Sequence, residues 1–129
     1  MSGRALRFSR MPGKFAVCRL SAGTEIPDWA WNGIFSSVTR TEDEVSIVCA
    51  ADNVPEEHQP KSPWVCFKVE GPFSFSEVGI LASVINPLAE KKVPIFAIST
   101  FDTDYVLVGE EYAGIALQAL RDAGHEFLP

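Results

Sequence analysis

A repeat of about sixty residues sets the architecture open to this chain. Val38-Thr39 and Glu44-Val45-x-Ile47-Val48 return sixty positions later as Ile98-Ser99 and Asp104-Tyr105-x-Leu107-Val108. Each copy is an apolar strand, a tight polar turn and a second strand, preceded by a further strand and a helical stretch. Continued by a last helix and strand, this order gives β-α-β-β-α-β, an α+β fold with an antiparallel sheet and helices on one face, the ferredoxin-like plan. A unit of this length buries too little apolar surface to be robust alone, so two such units are expected to pack in tandem or to dimerise.

The elements follow from local pattern. Residues 14–20 (K-F-A-V-C-R-L) alternate as a half-buried strand, and residues 27–34 have room for one or two helical turns ended near Gly33. Residues 35–40 and 44–51 read as a hairpin about Thr41-Glu42-Asp43. Residues 53–63, with Pro55, Pro60 and Pro63, form a loop or short helical turn and divide the halves. Residues 64–70 make the next strand. Ser74 and Glu77 have capping-box spacing, and Val78, Leu81, Ala82, Ile85, Leu88 and Ala89 then recur along one helical face. Pro87 is expected to kink or shorten that helix. Strands over 95–99 and 104–108 flank a turn at 100–103. A final helix over 110–123 turns Ala113, Ala116, Leu117 and Leu120 inward and stops at Gly124, before a short strand at Phe127-Leu128.

Charge is lopsided. Arg4, Arg7, Arg10 and Lys14 hold the first fourteen positions without an acid, leaving seven basic residues against all 17 acids in the rest of the chain. A body near −10 repels nucleic acid and anionic membrane, because phosphate binding needs clustered Lys and Arg. Residues 1–13 read as a flexible basic tail, either solvated or touching an acidic partner, with Met11 as an alternative start. No apolar stretch follows the basic residues as a secretory signal requires, and no run reaches bilayer length. Cys18, Cys49 and Cys66 each lie in an apolar run without C-x-x-C spacing. They read as buried small hydrophobes in a reducing, cytoplasmic compartment rather than as disulfide or zinc ligands.

The segment from Gly71 to Asp104 carries the chemistry. A glycine-bearing loop opens a helix, and a Ser-Thr loop rich in aspartate joins two apolar strands. Backbone N–H groups at a helix start suit a carboxylate, and acids suit an amine, so the pair fits a small zwitterion. No metal ligand set, phosphate loop or nucleophile is spaced to act. Ser21-Ala22-Gly23-Thr24 lacks the G-K-[ST] of a phosphate loop, and His58 and His125 sit in polar segments expected to be exposed.

The runs F-S-E-V-G-I-L-A-S-V-I-N-P-L-A-E and I-F-A-I-S-T-F-D-T-D-Y-V-L-V resemble the ACT domains of one branch. That branch holds small bacterial tandem-ACT proteins and the CASTOR arginine sensors, and is related to the regulatory domains of aspartate kinases. S-V-T-R-T-E-D-E-V-S-I-V resembles its degenerate first ACT unit, so residues 14–61 are read as a degenerate first unit and 62–129 as the second. The resemblance implies a non-catalytic regulatory protein that binds a small amino acid or related metabolite at an interface between ACT units. It also implies a homodimer, without cofactor, metal, nucleic acid or membrane.

Carried over by position, the glycine loop supplies Ser76, Glu77, Val78, Gly79 and Ile80, and the hairpin loop Ser99, Thr100, Phe101 and Asp104. The arginine sensors carry two acids before this glycine where Ser76 and Glu77 stand here, so the resemblance does not extend to a guanidinium pocket. Gly79 admits either close approach of a ligand or tight helix–sheet packing. Glu77 is a cap, a ligand contact or both. Asp104 either pairs with a ligand ammonium or is a turn acid beside Asp102. Trp29 and Trp31 cannot share one helical face, so one belongs to the core and the other to a subunit contact. Two competing readings are an interaction module without ligand and a small enzyme using Asp102 or Asp104 as base.

Overall fold

The computed structural model describes residues 5–71 and 78–129. The chain divides into two compact units, Gly13–Trp64 and a second made of Met1–Pro12 with Val65–Pro129. Strand β1 (Arg7–Arg10) therefore belongs with the C-terminal half.

The first unit contains β2 (Phe15–Ser21), β3 (Ser36–Arg40) and β4 (Glu44–Ala50), joined antiparallel in the order β3-β4-β2. The register sets Ala16 against Cys49, Cys18 against Ile47 and Leu20 against Val45, so period-two alternation puts all six into one core. Short 3-10 turns at Asp28–Trp31, Ala51–Asn53 and Glu56–His58 stand where a complete ferredoxin-like unit has α-helices. Trp29 packs against the core, and Trp31 is exposed.

The second unit carries the complete plan. It runs β5 (Trp64–Val69), α1 (Ile80–Glu90), β6 (Ile95–Ser99), β7 (Asp104–Gly109), α2 (Ala113–Asp122) and β8 (Glu126–Phe127). Its strand order is β6-β7-β5-β1-β8, the ferredoxin-like order opened by one inserted strand. β1 pairs antiparallel with β5, setting Phe8 against Val69, and parallel with β8, setting Phe8 against Phe127. Phe8 is fully buried and stacks on Phe127, with ring centroids 5.3 Å apart. Residues 7–10 are thus an interior strand, where the sequence reading has a flexible tail. A single apolar residue between two arginines and a serine gave too short a pattern to read as a strand.

α1 begins at Ile80, later than a Ser74 cap would put it, and both residues of the expected capping box lie outside the described residues. Ile80, Val84 and Leu88, at i, i+4 and i+8, face the core, whereas Val78 is outside the helix and Ala82 and Ala89 are exposed. The buried stripe is thus rotated from the expected one. The helix continues past Pro87 to Glu90. α2 ends in a Schellman motif: Gly124, at φ +96°, donates to Arg121 and His125 N–H to Leu120, at 2.9 and 3.0 Å. That turn delivers His125 into the protein interior.

Candidate functional site

Two loops form the candidate site. β5 ends at Val69, and α1 is entered at Gly79, which is the helix N-cap at φ +79°. A left-handed backbone explains the glycine. A Cβ there would meet nothing within 4 Å, so tight packing is not its reason, and it stands before the helix rather than inside its first turns. Its carbonyl accepts from Ser83 N–H at 3.0 Å and Ser83 Oγ at 2.9 Å, and among the described residues no side chain caps the helix start. Ile80 turns its side chain into the core, which leaves backbone as what it offers at the loop. Val78 is 89% exposed. Ser76 and Glu77 lie outside the described residues.

The second loop is the β6–β7 turn. Thr100 closes it: its N–H donates to the Thr103 carbonyl at 2.8 Å, and its Oγ1 accepts from Thr103 N–H at 3.3 Å. That N–H therefore serves the turn and is not a donor for a ligand. Ser99 stands opposite Asp104 in the ladder and donates to its Oδ1 at 2.5 Å, fixing the carboxylate. Phe101 is 77% exposed at the tip. The loops share one end of the sheet: buried Thr103 donates through Oγ1 to the Val69 carbonyl, the last residue of β5, at 2.6 Å. At that same end Ser9 Oγ on β1 donates to the Glu70 carboxylate.

Gly79 also opens onto a cavity of about 510 Å³ between α1 and α2, which none of the hairpin residues lines. Sequence reasoning missed its walls, which include Ser83, Asn86, Glu90, Lys91, Asp122 and His125. His125 is 7% exposed, not in the exposed segment expected for it, and both ring nitrogens are engaged. Leu6 N–H donates to Nδ1 at 3.0 Å, so the ring proton sits on Nε2, which donates to the Ser83 carbonyl at 2.9 Å. The available signal was Pro87, four residues after Ser83, which leaves that carbonyl in want of a donor.

No cluster of three or more His, Cys, Asp or Glu spaced for a metal ion occurs among the described residues. No helix among them is long and apolar enough to cross a membrane. Burial raises all three thiols: Cys18 above its ordinary 9.0, Cys49 to about 11 with a lesser contribution from Cys18, and Cys66 to about 12. Such thiols are protonated and poor nucleophiles at neutral pH.

A model of the ACT domain matches residues 60–122, and a second family model, of an N-terminal domain, matches residues 13–57. The cytosolic arginine sensor for mTORC1 subunit 1 of Homo sapiens is 36% identical over 59 residues, 45% of this chain and 18% of its own length. The Bos taurus protein of that name gives the same figures, so the chain spans less than a fifth of these curated relatives. A crystal structure of an Agobacterium tumefaciens protein superposes with a TM-score of 0.90 at 42% identity, over 98% of this chain and 94% of that one. Clostridium acetobutylicum aspartate kinase superposes with a TM-score of 0.62 at 14% identity, over 90% of this chain and 33% of that one, a likeness of fold.

Proposed function

Because this chain belongs to the ACT-domain family, we propose that it is a non-catalytic regulatory protein that binds a small amino acid or related metabolite. Binding takes place at an interface between ACT units of a cytoplasmic homodimer. One observation carries the reading: within the ACT unit, the strand-to-helix loop and the β6–β7 turn emerge at one end of the sheet, linked by the Thr103–Val69 hydrogen bond. The N–H groups at the start of α1 suit the ligand carboxylate, and Asp104, held by Ser99, suits its ammonium. Val78 and Phe101 are exposed apolar side chains on the same two loops, which an apposed unit would cover. The similarity to arginine sensors supports an amino acid as the class without specifying which one.

The test is a thermal-shift screen of the full chain against the twenty amino acids. A true ligand at about a hundred times its Kd adds about 2.7 kcal/mol, a shift of several degrees. Asp104→Asn is expected to weaken the response of that ligand about tenfold or more. Silence across all twenty at saturating concentration favours an interaction module without ligand. An undiminished response in Asp104→Asn removes this residue from the site.

A further inference from the structure

We propose that the first unit carries a second binding site, for a small oxyanion attached to a flat ring, in the cleft formed by Arg19, Ser21, Thr24, Trp29 and His58. The cleft has a volume of about 340 Å³, at the small end of the about 300–1,000 Å³ usual for ligand sites. It lies wholly within Gly13–Trp64.

Its chemistry is one-sided. Apart from Thr24, whose hydroxyl proton goes to the Ser21 carbonyl, the polar side chains above carry hydrogen-bond donors, and no described carboxylate side chain lines the cleft. That is not the composition of its surroundings, since Gly13–Trp64 holds eight acids against four Lys and Arg. A donor-lined cleft in an acidic unit selects an anion, and a guanidinium fork matches a carboxylate or phosphate edge.

The parts are held in place. Period-two alternation along β2 sends Cys18 and Leu20 to the core and leaves Arg19 exposed. Its Nη2 donates to the Asp43 carbonyl at 3.0 Å, which takes one of five guanidinium N–H donors. The turn after β2 is closed by Thr24, whose N–H and Oγ1 both donate to the Ser21 carbonyl, at 3.1 and 2.6 Å. The ring of Trp29 lies 5.8 Å from that of His58 at 30° to it, a near-parallel pair. His58 is anchored in turn, its carbonyl receiving Cys18 Sγ at 3.5 Å, and the next residue, Gln59, donates to the Ala51 and Val54 carbonyls at 2.9 and 2.6 Å. An aromatic face beside a fixed guanidinium recognises a ring bearing its charge at the edge.

The experiment titrates the full chain, in low-salt phosphate-free buffer, with phenyl phosphate, benzoate, inorganic phosphate and benzylamine, read by calorimetry and tryptophan fluorescence. At least one ring-bearing anion is expected to bind saturably, the tighter of the two identifying phosphate or carboxylate as the preferred group. Inorganic phosphate should bind about tenfold more weakly, and benzylamine not at all. Arg19→Gln should weaken the ring-bearing anions about tenfold or more, with Arg19→Lys intermediate. Trp29→Leu should weaken them while leaving inorganic phosphate unchanged. Circular dichroism identifies any variant that fails to fold, and the two Arg19 variants serve as alternates. The proposal is overturned if neither ring-bearing anion saturates, if benzylamine binds as well, or if folded Arg19 variants bind unchanged.

Discussion

A proline inside a helix leaves the carbonyl four residues before it without its usual N–H donor, and a buried carbonyl in that state costs about 1–3 kcal/mol. Here Pro87 does this to Ser83, and the donor comes from outside the helix, from His125 Nε2 at 2.9 Å. The same ring accepts Leu6 N–H at Nδ1, just before β1, so one imidazole ties α1, the turn after α2 and the N-terminal strand together. Phe8 closes on its edge, with ring centroids 5.5 Å apart. His125→Ala is therefore expected to destabilise the chain by about 2–4 kcal/mol in urea denaturation, because it orphans one buried donor and one acceptor. In a Pro87→Ala background the new N–H at position 87 can serve Ser83. The cost of losing the imidazole should then shrink by about 1 kcal/mol. Equal costs in the two backgrounds would mean that the proline and the histidine are not coupled through that carbonyl.

Among the elements, hairpin register carries the sharpest lesson. The sequence repeat has a period of sixty, yet the ladders set Arg40 against Val45 and Ser99 against Asp104, an offset of fifty-nine. With a side-chain period of two, that single residue decides which face is inward. At fifty-nine, core residues Ile47 and Cys49 superimpose on core residues Val106 and Val108, whereas at sixty they would fall on Leu107 and Gly109. Leu107 is as buried as its neighbours, so what matches at fifty-nine is membership of the core clusters rather than residue likeness. Strands and hairpins were legible in the sequence because their apolar runs are bounded by polar turns, and Gly124 was legible as a helix stop because only glycine enters the left-handed region cheaply. The rotated face of α1 was not, since alanines at 82 and 89 count as apolar but need no burial. β1 was not legible either, because its pairing with β5 joins residues about sixty apart. Of the candidate site, the two loops could be read, while the walls of the cavity at Gly79 depended on a tertiary contact between Ser83 and His125. The strand gives a direct prediction. Phe8→Ala should cost about 3–5 kcal/mol, whereas exposed Arg7→Ala and Arg10→Ala should stay within about 0.5 kcal/mol. Denaturation midpoints of the three variants check it, and three equally small effects would return residues 7–10 to the status of a tail.

At the scale of the whole molecule, each unit has a core of its own, and each unit holds at least one thiol that burial keeps protonated. Cys18 and Cys49 lie in the first and Cys66 in the second. Unfolding returns each thiol to its ordinary value near 9.0, so above that pH the unfolded chain has released protons that the folded chain retains. The sign follows: below about pH 8 the thiols leave stability independent of pH, and as pH rises past 9 stability falls. For Cys66 the fall proceeds at up to about 1.4 kcal/mol per pH unit and levels off only near its folded value of about 12. For Cys49 the levelling comes earlier, near 11. Urea midpoints between pH 8 and 10 should therefore drop, and Cys66→Ala should flatten the profile by the share of that one thiol while lowering the plateau through the lost packing. A Cys66→Ala profile parallel to that of the unmodified chain would place the alkaline weakness in other groups. Loss of slope in the variant would show that one fully buried sulfur, on the strand from which the candidate site departs, sets the upper pH limit of the ACT unit.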